Sequence, residues 1–130
     1  MNAFLSLGRW LFALPFAIFG LFHFLNAQGM ADQMVPTYMP AKAIWVYLAG
    51  SGLIAASISI VSGKYDKLAT TLLAVYLLLM VVMIHAPNAM DSSNPIRSQG
   101  GMTNVLKDIA LAGAAMLFAQ HLSKDRSIIG

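Results

Sequence analysis

Four apolar stretches, each about as long as a helix that crosses a lipid bilayer, take up most of the 130-residue chain. They cover residues 4–25, 43–62, 68–85 and 102–122. The charged residues lie almost entirely between or beside these stretches, and they make up only 10% of the chain. We therefore predict an all-α integral membrane protein, a four-helix bundle in which residues 1–130 form one transmembrane domain.

The composition excludes several kinds of chemistry. The chain has no cysteine, which removes disulfides, thiol redox chemistry and iron–sulfur ligation. It has no glutamate and only five acidic residues, so carboxylate-rich metal cages and paired catalytic carboxylates are not expected. The net charge of +3 is not gathered into a basic cluster, so we predict no nucleic-acid partner.

The first apolar stretch is too long for a secretory signal core, and cleavage after Ala27 would place Leu25 where a small residue is required. We therefore interpret it as a retained first span. Four spans put both termini on one side of the membrane. Five basic residues lie on that side: Arg9, Lys64, Lys67, Lys124 and Arg126. Three lie on the other: Lys42, Arg97 and Lys107. The positive-inside rule then predicts cytoplasmic N- and C-termini.

The predicted outer side carries two longer connections, residues 27–42 and 88–101. The middle of the first, residues 34–40, is apolar enough to lie on the membrane surface or over the bundle. The second is polar and contains Pro95, so we expect an irregular segment, with Thr103 or Asn104 capping the last helix.

Small residues make the second span suited to close helix packing. Gly52 and Ala56 stand four positions apart and therefore share one helix face. Such faces let helix backbones approach closely in lipid. Under the docking alternative described below, this face would serve oligomerisation or docking to a larger complex.

Polar groups from three spans are predicted to meet near the outer end. His23 and Asn26 end the first span, His85 ends the third, and Lys107 and Asp108 lie in the second turn of the fourth. Ionisable residues inside a membrane are costly and by default mark function. These five residues are our candidate site for a small polar ligand.

Each candidate also has a plain structural interpretation. The stem of Lys107 can carry its ammonium to the lipid headgroups. An anion such as Asp108 is favoured near a helix N-terminus, and adjacent residues cannot both face the bundle centre. A histidine at a helix end is more often interfacial than a ligand. As a pair, His23 and His85 can also be interpreted as ligands of haem iron or of a transition metal, although no third ligand is evident.

Several segments resemble the DoxX family of small four-span membrane proteins. They are Arg9-Trp-Leu-Phe and Phe19-Gly-Leu-Phe-His23, Gly63 with Lys67-Leu-Ala, Ile84-His85, and Leu106-Lys-Asp-Ile-Ala-Leu-Ala-Gly113. By this resemblance His85 and Lys107 match motif positions, and His23 falls where the family often has a basic or polar residue. The family commonly carries a glutamate in the second helix. Its place falls near Leu53 here, and no acid stands in that helix.

The resemblance implies a multi-pass protein of the bacterial inner (plasma) membrane. Founding members of the family are described as subunits of a terminal quinol oxidase or a thiosulfate:quinone oxidoreductase. The leading hypothesis is therefore an accessory subunit that is not catalytic alone, with a quinone headgroup or small anion accepting hydrogen bonds from Lys107 and the histidines. Its expected partners are the lipid bilayer and further copies of itself or a larger membrane complex. One alternative is a docking module without a ligand, and another is a haem- or metal-binding protein using His23 and His85.

Overall fold

The computed structural model describes residues 2–34, 40–125 and 128, and every regular element within those ranges is helical. Four stretches are long and apolar enough to cross a membrane, and we number them spans 1 to 4: Asn2–Leu25, Lys42–Ser62, Asp66–Ala89 and Pro95–Leu122. The prediction of an all-α protein with four membrane-length helices is confirmed.

The helices follow one another with short joints. They are α1 (Asn2–Ser6), α2 (Gly8–Leu25), α3 (Ala27–Met34), α4 (Lys42–Ser62), α5 (Asp66–Met80), α6 (Ala86–Ala89) and α7 (Pro95–Leu117). A π-helical turn at Val81–His85 joins α5 to α6, and another at Phe118–Leu122 ends span 4. The chain forms two compact units, one of Met1–Ala69 with Ser123–Gly130 (unit 1) and one of Thr70–Leu122 (unit 2).

The two longer connections differ from their prediction. The first begins with the helix α3, and most of the predicted surface segment 34–40 lies outside the described residues, since these omit 35–39. Span 4 begins at Pro95 rather than near residue 102. Asn94 caps it, because its side-chain oxygen accepts the backbone N–H of Arg97 at 3.1 Å. The predicted cap at Thr103 or Asn104 is wrong, since both residues lie inside α7.

In unit 1, α2 packs against α4 where two glycines meet. A Cβ added to Gly20 would lie 2.8 Å from the carbonyl oxygen of Gly50 and 2.6 Å from Cγ1 of Ile54. The close approach of the two helices therefore depends on glycine at both positions. Ala56 is buried further along α4. Gly52 is exposed and has open space above it, so it takes no part in the contact with α2.

In unit 2, α6 packs against the start of α7. Gly101 lies so close to α6 that a Cβ there would overlap the backbone nitrogen of Ala89. Ser98 Oγ donates to the carbonyl of Ala89 at 2.7 Å, and Arg97 Nε donates to Oδ1 of Asn88 at 3.0 Å. These contacts join the ends of spans 3 and 4 into a helical hairpin.

Candidate functional site

His85 and Asp108 form a buried pair inside unit 2. His85 Nε2 lies 3.1 Å from Asp108 Oδ2, and the two side chains are only 8% and 7% exposed. His85 is carried by span 3 and Asp108 by span 4, so the pair links two helices. Each group is strongly polar, and each satisfies part of the hydrogen-bonding capacity of the other.

The π-helical turn at Val81–His85 determines which face of span 3 carries the histidine. The buried face of α5 includes Leu73, Ala74 and Leu77. In an uninterrupted α-helix, position 85 would lie about 80° around the helix from Leu77, whereas position 84 would lie about 20° away. The wider π turn accommodates one extra residue, so His85 takes the buried place of position 84. Single π turns inside α-helices are frequent at functional sites.

Asp108 lies deeper in its helix than its sequence position indicates. Because α7 begins at Pro95, Asp108 lies in about the fourth turn rather than the second. The helix dipole acts mainly within the first turn, so the expected stabilisation of Asp108 by the helix N-terminus does not apply. Asp108 instead shares a buried face with Ala112 and Ala115, and its carboxylate contacts His85.

Lys107 approaches the same carboxylate from a more exposed position. Its Nζ lies 3.8 Å from Asp108 Oδ1, and 46% of the lysine side chain is exposed. The expectation that two adjacent residues point apart is met, since Asp108 is buried and Lys107 is not. Lys107 therefore provides a counter-charge at the edge of the pair.

Tyr76, in α5, is a partly buried polar residue of span 3 that was not predicted. A tyrosine within a leucine-rich span is usually read as an apolar core residue. The sequence did contain a signal, because the Tyr76 hydroxyl is the one polar side-chain group among the apolar residues 72–84.

One nitrogen of the buried histidine has no hydrogen-bond partner among the described residues. This atom is His85 Nδ1, which has essentially no exposed surface. An unsatisfied polar atom in such a place costs about 1–3 kcal/mol. Buried unpaired groups in native proteins call for an explanation, such as a binding role.

His23 and Asn26, the other two candidates, belong to unit 1. His23 Nδ1 lies 2.6 Å from the carbonyl oxygen of Phe19, one turn earlier in α2, and the histidine is partly buried. Asn26 ends α2, because its backbone N–H bonds the carbonyl of Phe22. Its own carbonyl accepts the N–H of Met30 in α3. Their predicted meeting with the residues of unit 2 stays a prediction.

The described residues contain no group of three or more His, Cys, Asp or Glu side chains arranged to hold a metal ion. Of the two histidines proposed as metal ligands, His85 bonds Asp108 through Nε2 and His23 bonds its own helix through Nδ1. His121, the third histidine, is exposed in the π-helical turn that ends span 4.

A second buried carboxylate, in unit 1, was also missed. Asp66 has no exposed surface, and Arg9 Nη1 lies 3.4 Å from its Oδ2. The same Arg9 atom donates to the carbonyl of Ile60 at 2.6 Å. Asp66 was not among the predicted site residues. The available signal was that the chain has so few acids that each one near a span needs a partner.

The family model described as DoxX matches residues 4–86 of the chain. This range includes His85 and ends before span 4, so it leaves out Lys107 and Asp108. No curated protein and no solved structure matches the chain.

Proposed function

The chain belongs to the DoxX family, and we propose that it serves as an accessory membrane subunit of quinone-linked redox chemistry, holding a quinone headgroup beside His85 and Asp108. The observation that carries this proposal is the buried pair itself, with one histidine nitrogen left without a partner. Ionisable groups within membrane spans are costly and are retained where they bind or transfer something.

The depth of the pair suits the headgroup of a lipid-soluble ring. The apolar part of span 4 begins near Met102, and Asp108 lies six residues further on, about 9 Å along the helix. With both termini on the cytoplasmic side of a bacterial inner membrane, this is the outer leaflet. A quinone ring can reach such a depth while its isoprenoid tail stays among the lipid chains.

The remaining candidates have supporting roles in this proposal. The Lys107 ammonium offers a counter-charge at the edge of the site, 3.8 Å from the carboxylate. The membership of His23 and Asn26 in this site stays a prediction from the sequence. The chain has no cysteine to hold an iron–sulfur cluster, so we assign electron transfer to a partner protein.

The test is binding of a short-chain benzoquinone and a short-chain naphthoquinone to the protein in lipid nanodiscs, measured by equilibrium dialysis. We expect one or both rings to bind, and His85→Phe to abolish binding. The matched control is His121→Phe, because His121 is exposed at the far end of span 4. Both variants are checked for helix content and monodispersity first. Equal binding by the two variants would refute the site, and a Soret band in the purified protein would favour the haem alternative.

A docking role is a second candidate, and two glycines with open space beside them favour it. Gly52 in α4 and Gly113 in α7 both have open space where a Cβ would lie. Glycines that face outward in the middle of a span allow another helix to approach closely. Replacing either by leucine would block a second copy or a partner subunit while leaving quinone binding unchanged. Cross-linking in membranes with and without Gly52→Leu distinguishes the two roles.

A further inference from the structure

The partner of His85 determines which hydrogen-bonding role its other nitrogen plays. Asp108 Oδ2 lies 3.1 Å from His85 Nε2, and an ionised carboxylate can only accept hydrogen bonds. With the carboxylate ionised and the imidazole neutral, the ring hydrogen lies on Nε2. A neutral imidazole carries one N–H, so the buried Nδ1 presents a lone pair.

Building on the proposed function, we infer that the site selects the reduced, hydroxyl-bearing form of its ligand, a quinol rather than the corresponding quinone. A quinol O–H donates a hydrogen bond to the lone pair of Nδ1. A quinone oxygen only accepts, so it would face His85 acceptor to acceptor and leave both atoms unsatisfied. Sites built around a hydrogen bond discriminate strongly against the analogue that cannot form it.

The surroundings of Asp108 support its role as the acceptor. Its Oδ1 lies 3.8 Å from the Lys107 ammonium while Oδ2 takes the imidazole, so each oxygen has its own positively charged or hydrogen-donating neighbour. An aspartate that holds a histidine in one tautomer in this way leaves the far nitrogen free to accept a hydrogen from a hydroxyl group.

Access to Nδ1 requires movement, since the atom is covered. The histidine lies at the end of the π-helical turn, and span 3 continues beyond it for only the short helix α6. A flat ring that arrives through the lipid must part the side chains over the histidine before the hydrogen bond forms.

The first test compares the quinone and quinol forms of one short-chain benzoquinone under anaerobic conditions, with the protein in nanodiscs. We expect the quinol to bind about tenfold more tightly, the factor that corresponds to one net hydrogen bond. Asp108→Asn is expected to abolish the preference, because an amide can either accept from or donate to Nε2 and therefore no longer fixes the ring hydrogen there. Lys107→Gln, which retains the Asp108 carboxylate, is expected to keep the quinol preference.

The second test does not depend on any variant folding. In protein labelled with ¹⁵N-histidine, the nitrogen shifts distinguish a protonated from an unprotonated ring nitrogen. We expect His85 to carry its hydrogen on Nε2, and the Nδ1 signal to move when quinol is added.

The outcomes separate the two proposals. If neither ring form binds, the proposed function fails. If the quinone binds as tightly as the quinol or more tightly, or if the hydrogen is found on Nδ1, the proposed function stands and the selectivity is refuted. A carboxylate–imidazole pair also occurs behind metal-binding histidines, so Zn²⁺ binding without quinol binding would overturn both.

Discussion

The carboxylate of Asp66 accepts the backbone N–H of Lys124 through both of its oxygens, at 3.0 and 2.8 Å. It also accepts the N–H of Asp125 at 2.8 Å, and Arg9 lies against it. In return, Asp125 Oδ2 accepts the backbone N–H of Tyr65 at 2.7 Å. One fully buried aspartate therefore ties the first span, the turn before α5 and the segment after span 4 together within unit 1.

Replacing Asp66 by alanine is expected to destabilise the protein by about 3–5 kcal/mol, because it removes the carboxylate that pairs with the guanidinium and accepts the backbone N–H groups. The measurement is chemical unfolding in detergent micelles followed by circular dichroism. Faster trypsin cleavage after Lys124 should accompany the loss. Asp32→Ala is the control, since Asp32 is exposed and contacts only Gln28 of its own helix among the described bonds. Matching unfolding midpoints for the two variants would contradict the prediction.

The loop between spans 3 and 4 contains an aspartate that should titrate abnormally. The hydroxyl of Ser93, its backbone N–H and, to a smaller extent, the charge of Arg97 hold the pKa of Asp91 below its ordinary value of 3.8. Ser93→Ala is expected to raise this pKa towards 3.8, as followed by carboxyl ¹³C NMR, whereas Ser92→Ala should leave it unchanged.

The lowered pKa of Asp91 also predicts how the stability of the loop depends on pH. Its folded pKa is lower than its unfolded value, so the hydrogen bonds to Ser93 stabilise the loop above the unfolded pKa and are lost as the pH falls through the folded one. If Asp91 keeps its lowered pKa in the Ser93→Ala variant and the loop stays ordered at neutral pH, the hydrogen bonds to Ser93 are not the cause of the lowered pKa.

The contact of α2 with α4 predicts opposite effects for two neighbouring glycines. A Cβ on Gly50 would lie 2.6 Å from Cβ of His23 and 3.0 Å from the carbonyl of Gly20, and neither of these atoms can rotate away. Gly50→Ala is therefore expected to cost about 1–3 kcal/mol in thermal stability through overpacking. Gly52→Ala meets open space and is expected to be neutral or slightly stabilising. A neutral Gly50→Ala would mean that the helices can separate without cost.

The positions of the spans were predictable because a bilayer requires about twenty consecutive apolar residues, a signal that no tertiary contact overrides. The start of span 4 was not, because Pro95 and the following glycines were interpreted as loop residues. In the structure, Asn94 is the cap and Pro95 the first helical residue, an arrangement that favours a helix start. Hydropathy does not separate this polar first part of α7 from a loop.

The candidate site was predictable only in part. The cost of ionisable groups in lipid pointed to His85, Lys107 and Asp108, and the structure brings these three together in unit 2. Helical periodicity alone did not choose between Lys107 and Asp108, because small residues follow on both faces. The π-helical turn departs from the α-helical repeat of 3.6 residues per turn. The rotation that buries His85 could therefore not be derived from the residue spacing.

The hairpin of spans 3 and 4 offers a final prediction that connects packing with the site. A Cβ on Gly101 would overlap the backbone nitrogen of Ala89 and lie 2.8 Å from the carbonyl carbon of Asn88, so Gly101→Ala must push α6 away from α7. Because α6 directly follows His85, we expect a lower melting temperature together with a changed ¹⁵N shift of His85. Gly100→Ala, the adjacent control, meets open space and should change neither. A lower melting temperature with an unchanged His85 signal would show that the site is held by the pair with Asp108 alone, independently of the hairpin.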